Sequence, residues 1–343
     1  LAALAGAPNR LYVLFLNADG TVRATRETLF TDPAFQPPTQ AARFGGDVLG
    51  LGDLDGDGLG DIALGAPGEP DGALGAGAVW IARLAADGSV AATQKISATS
   101  GGFTGSLPEQ SFFGKELVHM ADLDGNGQRE LAVLAPGHQF GGTEFVLFLD
   151  ANEQVVTHAE YDMVEYGLRW PSPDGSLTVG MISPFQTWLG DLDGDGFGEL
   201  ASGFYFSFPG NSLSGFQIGS ILADGSQTWR AKVGENRGGL GDLARGMYLG
   251  AAFAPLGDLD GDGTPELAVG APEMRANGAR PGAVWILSLQ SSSVRNGSGT
   301  NPVVLAQVQK PTFGQSWDLV LDGTGHAAGA ALVYGYSEKS AGV

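Results

Sequence analysis

The chain has no cysteine, few histidines, few charged residues and no long apolar run. Without cysteine it can form neither a disulfide scaffold nor a thiol nucleophile. The four histidines lie far apart and show no metal-binding spacing. No apolar segment is long enough to cross a membrane, and none has sustained helical periodicity. The sequence also lacks a nucleophile elbow, a P-loop and a dinucleotide fingerprint, so carboxylates carry most of its chemistry.

Net charge and composition further restrict the classes of partner and of fold. The net charge is −20 and Lys and Arg form no cluster, which argues against nucleic acid or an anionic membrane as a partner. Only 16% of the residues are charged and 56 are glycine, which favours short strands joined by many turns. Richness in Ala and Gly, with 13 Arg against 5 Lys, indicates a GC-rich bacterial source.

What the chain does contain is an acidic, glycine-punctuated nonamer, written four times. The copies begin at Asp53 (DLDGDGLGD), Asp122 (DLDGNGQRE), Asp191 (DLDGDGFGE) and Asp258 (DLDGDGTPE). Their starts are 69, 69 and 67 residues apart. A carboxylate pattern in such register predicts a structural repeat in which each unit holds a hard cation.

Each nonamer places oxygen ligands at positions one, three and five, with glycines between them that allow a tight backbone curl. A carbonyl at position seven and a carboxylate at position nine complete the set. Ligands that are all oxygen favour calcium over zinc or copper, and suit magnesium less well. We therefore predict about four structural Ca²⁺ ions. The predicted ligands are Asp53, Asp55, Asp57, Leu59 and Asp61; Asp122, Asp124, Asn126, Gln128 and Glu130; Asp191, Asp193, Asp195, Phe197 and Glu199; Asp258, Asp260, Asp262, Thr264 and Glu266.

Two other interpretations of the nonamer are possible. An EF-hand closes with Glu at position twelve between two helices, but position twelve of the first loop is Leu64. Short apolar runs such as DIALGAP follow the loops, which is typical of strands. The second interpretation is an Asp/Gly-rich turn without an ion, which four copies in register disfavour.

The repeat around each loop contains four short strands. In the first unit, one strand precedes the loop, a second follows it, a third includes Gly77 to Ile81 (GAVWI), and a fourth follows the tight turn at Asp87-Gly88. A repeated unit of about 70 residues with four strands predicts an all-β fold, a β-propeller of four-stranded antiparallel blades. Trp80 and Trp285 occupy the same place in two GAVWI copies, and we expect them to pack between sheets.

The order Phe-Gly, acidic loop, Gly-Ala-Pro resembles the FG-GAP repeats of the integrin α-subunit propeller and its bacterial relatives. The first unit shows it at Phe44-Gly45, Asp53 and Gly65-Ala66-Pro67. The resemblance implies that the calcium loop joins the first two strands of a blade and that ligands bind at the opposite face. The candidate ligand-binding segments there are Tyr161 to Pro173, Phe204 to Pro209, and Gly234 to Tyr248 with Arg237 and Arg245.

We expect a single propeller over residues 1–343. Its repeats are 44–100, 113–160, 180–233 and 249–310, with a composite blade made from 313–336 and 10–30. In the composite blade, Leu332 to Tyr334 would supply the second strand, beside Arg10 to Leu16, and Asp322 would be the last carboxylate of a calcium-free loop. Five blades are predicted; the alternative is part of a seven-bladed ring.

These features predict a calcium-binding, non-enzymatic propeller that presents a recognition or adhesion surface to a protein or glycan. Loops of this kind fill at the calcium concentrations found outside cells, so the expected location is extracellular or at the cell surface. One alternative function is a lectin. Another is a propeller-fold enzyme, a lyase or hydrolase, which would need a pocket lined with His, Tyr, Arg or Glu.

Overall fold

The computed structural model describes residues 2–6, 10–29, 35, 43–138, 142–162, 169–171, 177–179, 181–192, 194–208, 211–234, 248–259, 265–273, 282–291 and 306–308. The regular structure of this part is entirely β. The strands are β1 (Ala2–Gly6), β2 (Arg10–Leu16), β3 (Val22–Leu29), β4 (Val48–Gly52), β5 (Asp61–Ala66), β6 (Ala78–Leu84), β7 (Val90–Ser97), β8 (Glu116–His119), β9 (Leu131–Ala135), β10 (Thr143–Leu149), β11 (Val155–Asp162), β12 (Arg169–Pro171), β13 (Leu177–Val179), β14 (Met181–Gly190), β15 (Gly198–Phe208), β16 (Asn211–Ile221), β17 (Gln227–Gly234), β18 (Phe253–Gly257), β19 (Glu266–Ala271), β20 (Ala283–Ser291) and β21 (Ala306–Val308).

Sixteen of the strands form four antiparallel sheets of four strands each, and in every one the spatial order follows the chain; β1–β3 form a three-stranded sheet and β12–β13 a two-stranded one. We number these blades 1 to 4: β4–β7, β8–β11, β14–β17 and β18–β21. The predicted fold class, a β-propeller of four-stranded antiparallel blades, is confirmed. The chain divides into two compact units, residues 1–184 with 222–227, and residues 185–221 with 228–343.

The predicted count of five blades is wrong, since the described residues contain four. Strands β2 and β3 lie in a three-stranded sheet whose third member is β1, which pairs with β2 from Ala2–Leu14 to Gly6–Arg10. We call β1–β3 the first sheet. The sequence Leu4 to Pro8 (LAGAP) is a copy of the second strand of the repeat, and its residues 4–6, which lie in β1, pair with β2. The other predicted part of the composite blade, 313–336, lies outside the described residues.

Blade 1 is buried on both faces, which explains its apolar strands. Val79 and Ile81 are 0% and 1% exposed and belong to a core cluster with residues of blade 2. Leu64 and Trp80 point the other way, into a cluster with Leu11 and other residues of the first sheet. The expectation that Trp80 packs between sheets is therefore confirmed, with its ring 5.8 Å from that of Phe44.

The Phe-Gly and Gly-Ala-Pro segments meet through the backbone. In blade 1 the N–H groups of Gly45 and Gly46 donate to the carbonyl of Gly65 at 2.9 and 3.2 Å, and the Gly65 N–H donates to the carbonyl of Asp47 at 2.9 Å. A Cβ at Gly65 would lie 2.0 Å from the carbonyl oxygen of Gly114, so only glycine fits. Equivalent bonds recur in blade 4, among Gly250, Ala251, Ala252 and Gly270.

Candidate metal centre

Each acidic loop connects the first two strands of a blade. The loops lie between β4 and β5, β8 and β9, β14 and β15, and β18 and β19. In three of the blades the residue before the first aspartate is a glycine with positive φ: Gly52 at 80°, Gly190 at 75° and Gly257 at 73°. This conformation is easy for glycine and strained for other residues, so it turns the chain out of the strand at low cost.

The first aspartate organises the loop that follows it. Asp53 Oδ1 accepts hydrogen bonds from the N–H groups of Gly56 at 2.7 Å and Asp57 at 3.1 Å. Its Oδ2 accepts from the N–H of Gly58 at 2.8 Å. Gly56 and Gly58 have φ values of 79° and 88°, as the sequence predicts for a loop curled around a point.

The second and third loops repeat this geometry. Asp122 accepts from Gly125, Asn126 and Gly127 at 2.8, 3.1 and 2.9 Å. The corresponding distances from Asp191 to Gly194, Asp195 and Gly196 are 2.7, 3.1 and 3.0 Å. The first carboxylate therefore accepts three backbone N–H groups in each of these loops and holds the curl in shape.

The ninth position carries a buried carboxylate in every copy. Asp61, Glu130, Glu199 and Glu266 are between 0% and 5% exposed. Each accepts a hydrogen bond from the N–H of the second residue of its loop, at 2.9, 2.6, 2.7 and 2.6 Å in chain order. The ninth carboxylate thus joins the end of the loop to its beginning.

The carboxylates of the first two loops converge. One ligand oxygen from each of Asp53, Asp55 and Asp61 lies within 4.8 Å of the others, and the same holds for Asp122, Asp124 and Glu130. Three like charges this close repel one another. Such an arrangement is stable when a cation lies among them.

Glu130 provides the test of fit. Its Oε1 is buried and has no hydrogen-bond partner among the described residues, while Oε2 is used by the loop. Burial, followed by the charges of Asp124 and Asp122, raises the pKa of Glu130 to about 7. The unsatisfied, buried oxygen of Glu130 and the carboxylates of Asp122 and Asp124 together form a set of oxygen ligands for Ca²⁺. The residues present therefore fit this cation.

The third and fourth loops are described in part. Burial raises the pKa of Glu199 as well, although its Oε1 accepts a hydrogen bond from Ser220 at 2.8 Å. Glu266 Oε1 is buried without a partner among the described residues, as in Glu130. The predicted ligands Asp193, Asp260, Asp262 and Thr264, together with Asp322 of the decayed loop, lie outside the described residues.

The fifth and seventh positions remain predictions as ligands. Oδ1 of Asp57 accepts the N–H of Leu59 at 2.8 Å, and Oδ1 of Asp195 accepts the N–H of Phe197 at 2.9 Å. In the second loop Asn126 accepts the N–H of Gln128 at 2.7 Å and donates to the carbonyl of Leu149 at 3.0 Å. These side chains shape the turn toward position seven, whose carbonyl is the predicted ligand.

Sequence reasoning missed a polar cavity beside the first two loops. It has a volume of about 560 Å³ and is lined by Asp53, His119, Arg129 and Glu153, among others. Burial, with the charge of Arg129, lowers the pKa of His119 to about 4, so its imidazole is neutral at pH 7.

An ion pair between blades 1 and 2 was also missed. Arg83 Nη2 lies 2.5 and 2.6 Å from the two carboxylate oxygens of Glu153, which is 8% exposed. The two residues are 70 positions apart, about one repeat length. That spacing is the one sequence signal that could have indicated the pair.

The connection between β5 and β6 lies at the end of blade 1 opposite the loop, where the resemblance implies a ligand surface. Lys95 Nζ lies 2.9 Å from Asp71 Oδ2 and 3.3 Å from Glu69 Oε1, which ties this connection to β7. Leu74 at its tip is 62% exposed.

The candidate ligand-binding segments are only partly described. Tyr161 and Phe204 are 3% and 7% exposed, so these two side chains pack inside the fold. Tyr248 is 37% exposed. Residues 163–168, 172–176, 209 and 235–247, including Arg237 and Arg245, lie outside the described residues.

Comparison with known proteins agrees with the repeat geometry. The model of the FG-GAP repeat matches residues 45–81 and 249–287, which contain the first and fourth loops. The chain carries FG-GAP repeats.

Two curated relatives illustrate the similarity. Integrin alpha-5 of Xenopus laevis is 43% identical over 95 residues, 28% of this chain and 9% of that protein. Integrin alpha-M of Mus musculus is 38% identical over 96 residues, 28% of this chain and 8% of that protein. The matches thus span less than a tenth of those relatives' length.

Among solved structures, the chain is similar to the alpha-L-arabinanase of Cellvibrio cellulosa. The TM-score is 0.38 and the identity 16%, over 85% of this chain and 91% of that one. At these values the likeness assigns no activity to this chain. In the part of the chain that the structure describes, no helix has the length and apolar character needed to cross a bilayer.

Proposed function

We propose that this chain is a calcium-stabilised FG-GAP propeller that works by binding and not by catalysis, at the cell exterior. Its partner is a protein or glycan, held at the face opposite the acidic loops. About four Ca²⁺ ions per chain are structural, with the twenty ligands predicted from the sequence.

The converging carboxylates with the unpartnered Glu130 Oε1 are the observation that carries the proposal. Asp122, Asp124 and Glu130 place like charges within 4.8 Å, an arrangement that costs free energy unless a cation offsets the repulsion. A bound Ca²⁺ supplies this compensation. The calcium concentrations at which such loops fill support a location outside the cytosol.

The hydrogen bonds of the ninth carboxylate explain how an occupied loop would stiffen a blade. Asp61 lies at the start of β5, and its two oxygens accept the N–H groups of Leu54 in the loop and Leu84 at the end of β6, both at 2.9 Å. In blade 3, Glu199 reaches Ser220 of β16 in the same way. A ninth carboxylate held in place therefore fixes the loop and the third strand together.

Stiff blades support a recognition role because they present their connections in one conformation, which lowers the entropy lost on binding. The β5–β6 connection of blade 1 is such a segment, since Lys95 binds both of its acidic side chains and leaves Leu74 exposed. The resemblance to the integrin α-subunit propeller supports this face as the ligand surface.

Calcium titration of the full chain by calorimetry tests the metal half of the proposal. We expect about four sites with dissociation constants of about 0.1 to 1 mM, and the loss of one site in Glu130→Gln. Absence of heat up to 10 mM calcium, together with no bound calcium in equilibrium dialysis, would refute it.

The recognition half is tested on arrays of glycans and of purified extracellular proteins, in calcium and in EGTA. We expect calcium-dependent binding that Leu74→Asp weakens. The matched control, Asp87→Asn, alters an exposed turn at the loop end of blade 1 and leaves binding unchanged. If Asp87→Asn weakens binding and Leu74→Asp does not, the ligand binds at the end of the blade that carries the acidic loop, which would contradict the proposal.

A further inference from the structure

Two identical pentapeptides of this chain have opposite surroundings. The sequence Gly-Ala-Val-Trp-Ile occurs at 77–81 in blade 1 and at 282–286 in blade 4. Val79 and Ile81 are 0% and 1% exposed, whereas Val284 and Ile286 are 72% and 48% exposed.

The difference does not come from the strands themselves, because the pairing register is the same. In blade 1 Val79 lies opposite Gly65 and Ile81 opposite Ala63. In blade 4 Val284 lies opposite Gly270, and Ile286 lies opposite Ala268. Both pairs of side chains therefore stand on the equivalent face of an equivalent sheet.

The other face of blade 4 is packed. Leu267, Val269 and Leu287 are buried in a cluster with residues of blade 3, and Trp285 packs against that cluster. Only the face of Val284 and Ile286 is open among the described residues, and exposed adjacent β-branched side chains mark a surface that another element covers.

Blade 1 shows what covers this face in the repeat. The cluster that contains Val79 and Ile81 includes Phe113 of the next Phe-Gly pair, Leu117 of β8, and Leu131 and Val133 of β9. The cover is thus the Phe-Gly segment with the first two strands of the following unit, residues 113–135.

The chain beyond blade 4 has the sequence of such a cover. Thirty-five residues follow Val308, the end of β21. They contain Phe313-Gly314, the apolar segment Trp317 to Leu321, a loop remnant at Asp322, and the strand-like Leu332 to Tyr334. The distance from Phe313 to this last segment equals that from Phe113 to β9, within about one residue.

We propose that residues 313–335 cover the face of Val284 and Ile286 as residues 113–135 cover Val79 and Ile81. This assigns the C-terminal segment a structural partner within the same compact unit. It holds whether or not the acidic loops bind calcium.

Thiol labelling of the full chain tests the proposal, since the absence of cysteine gives a clean background. The test variant is Val284→Cys. Val156→Cys, at a position 69% exposed on β11, is the control for an exposed thiol, and Val79→Cys is the control for a buried thiol. We expect Val284→Cys to react at least about tenfold more slowly than Val156→Cys, because only opening of the cover exposes its thiol.

A second measurement identifies the cover. Adding Phe313→Asp and Leu332→Asp to Val284→Cys should raise its labelling rate to that of Val156→Cys, while the same pair leaves Val156→Cys unchanged. Fast labelling of Val284→Cys alone overturns the proposal, as does protection that the two aspartates do not relieve. Protection that requires high protein concentration, with a dimer mass by light scattering, would identify a second copy as the cover and also overturn it.

Discussion

Replacing Glu130 by glutamine should have opposite effects on stability with and without calcium. The substitution keeps the shape of the side chain and removes one charge from the group formed with Asp122 and Asp124. At 4.8 Å and an effective dielectric constant of about 20, each pair of unit charges repels by about 3.5 kcal/mol. Movement of the exposed aspartates lowers this, so we expect Glu130→Gln to stabilise the calcium-free chain by about 1 to 3 kcal/mol.

With calcium, the same substitution loses a ligand. A site with a dissociation constant of about 0.3 mM stabilises the folded chain by about 1.7 kcal/mol at about 5 mM calcium. Glu130→Gln should therefore gain less from calcium than the wild type by about this amount. The free energies are measured by urea unfolding, followed by circular dichroism, in EGTA and in calcium.

Glu109→Gln is the matched control, because it makes the same substitution at an exposed glutamate outside the acidic loops. It should change neither value by more than about 0.5 kcal/mol. The reasoning is refuted if Glu130→Gln destabilises the calcium-free chain and yet gains from calcium as much as the wild type does.

Three further perturbations follow from the packing. Gly65→Ala should destabilise the chain by more than about 3 kcal/mol in urea unfolding, because its Cβ meets a carbonyl oxygen at 2.0 Å, whereas Gly50→Ala, with open space around it, should cost under about 1. Arg83→Gln should cost about 2 to 4 kcal/mol by leaving a buried glutamate unpaired, whereas Arg10→Gln, which breaks an exposed pair, should cost much less. Burial lowers the pKa of His119 to about 4, so the unfolded chain takes up the proton first and the free energy of unfolding falls as the pH drops from about 6.5 toward 4. Allowing for solvent screening, His119→Gln should make this fall smaller by about 1 to 2 kcal/mol. The measurement is urea unfolding at several pH values between about 6.5 and 4. Equal costs within either matched pair, or an unchanged pH profile, would contradict the corresponding contact.

The repeat, its strand pairing and its loop geometry could be read from the sequence because they are local. The Asp and Gly positions of the nonamer determine the hydrogen bonds from Asp53 and Asp122 to the backbone. The Gly-Ala-Pro segments carried the resemblance to FG-GAP repeats, and the close carbonyl of Gly114 shows why the first residue of one of them, Gly65, is a glycine.

The blade count was wrong because two segments match the second strand of the repeat. Ala2–Gly6 and Leu332 to Tyr334 both have that pattern, and the sequence does not rank them. In the structure β1 pairs with β2 across a connection of three residues. A short loop loses less entropy on closure than a connection that spans the chain, which favours the local pairing.

Contacts between blades could not be predicted, since they depend on how the sheets stack. The Arg83–Glu153 pair, the cavity beside His119 and the hydrogen bond from Tyr161 to the carbonyl of Gly225 all arise in this way. Aromatic residues near the end of a strand look alike in sequence whether they cap a blade or face a ligand.

The most direct test of the central claim is the number of calcium ions bound per full chain, measured by equilibrium dialysis at millimolar calcium. The account predicts about four, and one fewer in Glu130→Gln. A wild-type chain that binds none, or a variant that binds as many as the wild type, would contradict it.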